Sequence, residues 1–174
     1  MAVQDFVNVP PITAVHTVGD ATIPNSRLPV LIFHAAIDPR FVNAEAFEQL
    51  FESNGWPPAW RWGIYSFHHY HSTAHEALGV ARGSARVQIG GPDGRAFDIS
   101  AGDALVIPAG VGHKCLNSSE DFEVVGAYPP GQDWDLMKGE PGERPRADRN
   151  IASVPMPQTD PVNGVSGLLT DLWR

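Results

Sequence analysis

Apolar and polar positions in this chain follow a helical period once, early, and a strand-like pattern thereafter. Residues 28–34 (LPVLIFH) form a continuous apolar run of strand length, expected as a buried or edge strand. The one helical pattern follows. Asn43 suits an N-cap, Glu45 lies in the first turn, and Phe47, Leu50 and Phe51 share a face. Asn54-Gly55 supplies its stop, and Trp56-Pro57-Pro58 forbids continuation. From Ile64 onward, strands are predicted near 64–71, 76–82, 85–89, 95–99, 104–107, 113–117 and 122–128. The turn Gly90-Gly91-Pro92-Asp93-Gly94 joins two of them. Short antiparallel strands at this spacing predict a closed barrel or jelly roll.

After Pro129 the pattern changes again, with seven of the sixteen prolines falling between Pro129 and Pro161. An extended arm lying on the barrel is predicted, anchored by Leu168, Leu169, Leu172 and Trp173. There is no internal repeat. The 174 residues suffice for one well-buried core, so a single domain is expected. Its parts are an N-terminal extension with the helix (1–60), a barrel core (about 61–128) and the arm (129–174).

Composition narrows the partners. The net charge of −8, without any cluster of Lys or Arg, would repel a phosphate backbone, so nucleic acid is excluded as a partner. Solubility accounts for the acidity. The single cysteine, Cys115, excludes an internal disulfide and a multi-cysteine zinc site. Neither a signal-peptide pattern nor an apolar run of the roughly 18 residues that a membrane span needs is present. A cytoplasmic protein without membrane contact is expected.

The candidate chemistry lies in two stretches. His69 and His71 stand two residues apart on a predicted strand and therefore aim at one point. Glu76 opens the next strand, and His113 opens a third beyond Pro108-x-Gly110. Neutral imidazole and carboxylate together are natural ligands of a divalent transition metal. By the same parity His68 and Tyr70 should face away from the interior or toward a subunit contact, and His75 should point elsewhere, to the surface in preference to a hydrogen-bonding role behind the ligands. Tyr65 and Phe67, on the face of His69, are candidates for a pocket wall or equally for aromatic core packing. Cys115, on the face of His113, is expected as a buried inert thiol, with a pocket-lining one as the alternative. Trp56, Trp60 and Trp62 can cap the barrel mouth, stack on a substrate or pin the helix to the barrel; the last is favoured slightly. Asp103 is expected to cap the turn after Gly102.

Taken together, the spacing Gly63-x5-His69-x-His71-x4-Glu76-x6-Gly83 and Gly102-x5-Pro108-x-Gly110-x2-His113-x3-Asn117 resembles the two-part signature of the cupin superfamily at every fixed position. The strings His75-Glu-Ala-Leu-Gly-Val, Val106-Ile-Pro-Ala-Gly-Val-Gly-His-Lys and Val125-Gly-Ala-Tyr-Pro resemble the YjlB-like small bacterial single-domain cupins more narrowly. That resemblance implies an all-β, cupin-type double-stranded β-helix (a jelly-roll barrel), here with one N-terminal helix and a Pro-rich C-terminal arm. It also implies His69, His71, Glu76 and His113 as metal ligands, and a homodimer. It carries over no reaction.

Three imidazoles and a carboxylate leave open positions on a six-coordinate ion, whereas a structural zinc site leaves none. Iron, manganese, nickel or cobalt suits such a set, and zinc is possible. The function expected is that of an enzyme of dioxygenase or of isomerase or decarboxylase type. Its substrate would be small, anionic or enolisable, and chelated to the ion. A non-catalytic ligand-binding or sensing cupin is the first alternative. A metal-free, sugar epimerase-like cupin is the second, although it would use histidine as a base rather than a ligand. Beyond the ligands, the sequence names no general acid or base.

Overall fold

The computed structural model describes all 174 residues. Nine strands form two antiparallel sheets: β1 (Ile12–Val15), β2 (Val30–Phe33), β3 (Pro58–Trp62), β4 (Glu76–Arg82), β5 (Ser84–Ile89), β6 (Arg95–Ser100), β7 (Ala104–Ile107), β8 (His113–Ser118) and β9 (Glu123–Ala127). The six-stranded sheet has the order β1-β2-β7-β4-β9-β3, and the three-stranded sheet the order β6-β5-β8. They pack face to face as a two-sheet jelly roll and not as a closed barrel, since no ladder joins one sheet to the other. No helix is long and apolar enough to cross a membrane.

The inner strands β2, β4, β7 and β9 of the six-stranded sheet are buried on both faces, which explains why they read as nearly continuous apolar runs rather than alternating ones. Along β4, Leu78 and Val80 point between the sheets and meet Ile89, Ile99, Leu105 and Val124. Ala77 and Ala81 point outward to a second core built with Phe33, Phe47, Leu50, Phe51 and Trp56. The helix α1 (Ala44–Ser53) supplies that outer layer, and the Asn43 side chain accepts a hydrogen bond from the Ala46 N–H at 2.8 Å. Gly55, at φ +79°, turns the chain out of the helix.

Two expectations need correction. Residues 64–71 do not form a strand. The segment runs beside β8, with the Cys115 N–H donating to the Tyr65 carbonyl at 2.9 Å and a bridge between His69 and His113. Four residues on one side thus span two on the other, a mismatch that no regular ladder accommodates. The strand lies earlier, in β3, where Pro58 sits at an edge and the ladder partner is β9. The arm is not wholly extended either: it contains α2 (Arg146–Ser153) and α3 (Leu168–Leu172). It does lie on the barrel. Leu169 and Trp173 are buried in the outer core while Leu168 and Leu172 are exposed, and the Trp173 Nε1–H donates to the Pro29 carbonyl at 2.9 Å.

Candidate metal centre

His69, His71 and His113 are all buried, and one ring nitrogen from each falls within 4.8 Å of the others. Local backbone turns the rings inward. The Nδ1 of His69 meets the Phe67 carbonyl at 3.0 Å, that of His113 meets the Val111 carbonyl at 3.0 Å, and that of His71 meets the Asp135 carbonyl. A carbonyl can only accept, so each Nδ1 carries the proton and each Nε2 presents a lone pair. Glu76 closes the group, with Oε2 3.2 Å from His71 Nε2 and Oε1 3.2 Å from His113 Nε2. Acceptors that face acceptors repel unless a cation or a proton lies between them. This donor set therefore fits a metal ion and could hold one.

The ionisation of the group has the same sense. Burial, helped by His113, brings the His69 imidazole down to about 3, so the ring is neutral near pH 7. Burial also pushes the Glu76 carboxyl up, but His71 and His113 override it and hold the group ionised. At His71 burial lowers the basicity and Glu76 more than restores it, for a net rise.

The four side chains line a cavity of about 380 Å³ together with residues 60–65, Leu78, Tyr128 and Trp134. Tyr65 is therefore a wall residue. Phe67 and Cys115 are not. Phe67 stacks behind Tyr65 with ring centres 4.8 Å apart, and Cys115 is packed in the inter-sheet core, its thiol pushed up by burial. The tryptophan cluster divides. Trp56 is fully buried in the outer core, pinning the helix, whereas Trp60 and Trp62 face the cavity.

His68 stands outside the histidine group. Tyr70 turns away to the arm, its hydroxyl donating to Glu143 at 2.8 Å. His75 is buried rather than on the surface: its Nδ1 accepts the Ala109 N–H at 2.9 Å and its ring lies 4.9 Å from that of Trp173. Parity turned it away from the site correctly, but the C-terminal arm covers the face it points to. Asp103 does cap its turn, accepting from Ser100 and Ala35.

Two participants escaped the sequence reading. Tyr128 donates to Glu76 Oε2 at 2.7 Å and accepts from the Trp60 Nε1–H at 3.0 Å. The pairing of Ala77 with Ala127 places Tyr128 beside Glu76. Gly126 leaves room for the Trp60 indole, which a Cβ there would meet at 2.3 Å. Burial and the charge of Glu76 raise the Tyr128 phenol above its ordinary range, so it keeps its proton. The other participant is the arm segment 133–135. Asp135 accepts from the Ser72 N–H at 2.6 Å and from the Ser72 hydroxyl, while its own carbonyl holds His71. Trp134, between the two aspartates, stacks on Tyr128 at 4.4 Å and 6°.

A family model for the cupin domain covers residues 63–127. The uncharacterized protein YjlB of Bacillus subtilis is 39% identical over 155 residues, which is 88% of this chain and 92% of that protein. A probable oxalate decarboxylase of Arthroderma benhamiae is 48% identical over 59 residues, 33% of this chain but 15% of that much longer protein. Among solved structures, a Klebsiella pneumoniae protein with a double-stranded β-helix domain is 18% identical with a TM-score of 0.35, covering 79% of this chain and 95% of its own. A DUF861 family protein from Thermotoga maritima is 23% identical with a TM-score of 0.30, covering 41% and 75%. With the YjlB match running along nearly its whole length and the cupin model covering both motifs, the chain belongs to the cupin superfamily, in the family of YjlB.

Proposed function

We propose that His69, His71, Glu76 and His113 hold one divalent transition metal ion, with iron, manganese, nickel or cobalt preferred to zinc. On this reading the chain is an enzyme acting on a small anionic or enolisable substrate that chelates the ion. The observation that carries it is the convergence of three Nε2 lone pairs and an ionised carboxylate in a cavity wall. When bound, such an ion supplies Lewis acidity and a template for the substrate oxygens. The similarity to a probable oxalate decarboxylase over the motif segment supports decarboxylation, and dioxygenation or isomerisation would use the same site.

The protein's own groups have defined parts. Backbone carbonyls at Phe67, Val111 and Asp135 fix the imidazole tautomers, which leaves Nε2 of each neutral ring as the ligating nitrogen. Tyr128 holds a proton at its Oη, directed at Glu76 by the Trp60 N–H behind it. It is the residue closest in kind to the proton donor that enolate chemistry needs.

Metal analysis of protein purified without added metal, followed by oxygen uptake against a panel of enolisable acids, tests the proposal. Oxygen uptake with bound iron selects a dioxygenase; turnover without oxygen selects an isomerase or decarboxylase. Tight binding without turnover would select the sensing module instead, and protein that takes up no metal would end the proposal.

Two further results are expected. Metal affinity should fall about tenfold per pH unit below about pH 6.5, because imidazoles must lose protons to bind. His71, whose basicity is raised, takes up a proton first, so the loss begins no lower than that. Chelator competition measured from about pH 8 to about pH 5 should show this decline, and a flat curve would contradict imidazole ligation. Asp135→Ala should weaken binding by about tenfold, since it frees the segment whose carbonyl orients His71. Dialysis against a graded chelator series measures that change.

A further inference from the structure

We infer that the cavity is built for a flat, largely apolar chelator such as an ortho-dihydroxyarene, stacked against Trp134 and Trp62, rather than for a small dicarboxylate. The inference rests on the metal site proposed above and concerns what occupies the space beside it.

Size is the first consideration. At about 30 Å³ per water, 380 Å³ equals about a dozen waters, far more than a two-carbon dicarboxylate displaces. It lies within the range of pockets that enclose ring-bearing ligands. Charge is the second. The only Lys or Arg lining the cavity is Arg61, and its guanidinium is already engaged. It contacts Glu48 twice at 2.7 Å and Glu45 at 3.1 Å. A second carboxylate on a substrate would find no free cation there, on a chain whose net charge is already −8.

Aromatic surface is the third. Trp62 is 61% exposed and Trp134 46% exposed, and both line this one cavity. Each indole is held by an aromatic neighbour. Trp134 lies parallel on Tyr128, and Trp62 sits edge-on to Tyr65 at 5.1 Å. Indole left in water beside a concave site gains most from a partner that is itself flat and apolar. Ile64 and Leu78 extend the same apolar wall toward the ligands. One polar edge for the ion, and an apolar ring for the wall, is the ligand that this distribution complements.

The test uses full-length protein loaded with cobalt(II), with 4-nitrocatechol and oxalate as probes, read by calorimetry and by the visible spectrum. Trp134→Ala and Trp62→Ala stand on separate elements, so a folding defect in one does not remove the other; cobalt content and circular dichroism check each. Wild-type protein should bind 4-nitrocatechol at least tenfold more tightly than oxalate. Each tryptophan variant should lose about three- to tenfold for 4-nitrocatechol, with oxalate and cobalt content unchanged. Cobalt bound normally but oxalate preferred, or 4-nitrocatechol unaffected in both variants, would overturn the inference and leave the metal site standing. Variants that change only the oligomeric state would assign the two tryptophans to a subunit contact and overturn it equally. Failure to bind cobalt at all would overturn the metal site, and the inference with it.

Discussion

His113→Ala is expected to empty the site of metal while leaving the barrel folded. Structural zinc sites with four ligands bind with about 10–16 kcal/mol, or about 3 kcal/mol per ligand, so losing one imidazole should weaken binding by about two to three orders of magnitude. His71→Ala should behave alike, because each of these rings meets one oxygen of Glu76. The fold should survive. His113 lies at the start of β8, and its backbone bonds to His69 need no side chain. Removing an imidazole does leave the buried Glu76 with one partner fewer, so some loss of stability accompanies the loss of metal. Elemental analysis after dialysis against a weak chelator, with thermal melting in parallel, separates the two effects. Full metal content in both single variants would remove these residues from the site.

The convergence of His69 and His71 was legible because a short-range rule fixes it. His69 and His71 are two residues apart, and their ring centres lie 5.8 Å from each other although the segment is not a regular strand. The bridge from His69 to His113 and the contact from Tyr70 to Met137 hold the backbone extended at those points, so parity survives where the ladder does not. The strands from Glu76 onward were legible for the same reason: apolar runs bounded by glycine turns define them locally. The rest of the cavity wall, beyond Tyr65, Trp60 and Trp62, was not. Tyr128 belongs to the site only because β9 pairs with β4, and Trp134 only because Asp133 and Asp135 are tied to residues 71–73 from 60 to 64 positions away along the chain. Strand order and arm docking are long-range choices that local periodicity does not encode. His75 failed for a related reason: its own face was read correctly, but Trp173 came from the far end of the chain to cover it.

The helix and the strand carrying Glu76 are linked by a contact whose disruption should be the largest stability effect in the outer core. Phe47 is fully buried, and a Cβ on Gly79 of β4 would lie 2.2 Å from its ring. Phe47→Ala opens a cavity and should cost about 3–5 kcal/mol, lowering the melting temperature by roughly 10 °C. Gly79→Ala alone should also destabilise, by about 1–3 kcal/mol, because a ring wedged in the outer core cannot swing clear. In the Phe47→Ala background the sign should reverse. Gly79 has no positive φ that alanine would strain, so with the ring gone the added methyl fills space and stiffens the unfolded chain. That gain is about 0.5–1 kcal/mol. The double variant should therefore be more stable than Phe47→Ala, with a coupling of about 1.5–4 kcal/mol between positions in direct contact. Guanidinium unfolding of the four proteins of this cycle measures it. Additive losses would mean that the helix does not pack ring-on-glycine against β4, and metal content should stay constant throughout because Glu76, Leu78 and Val80 face the opposite side of the sheet.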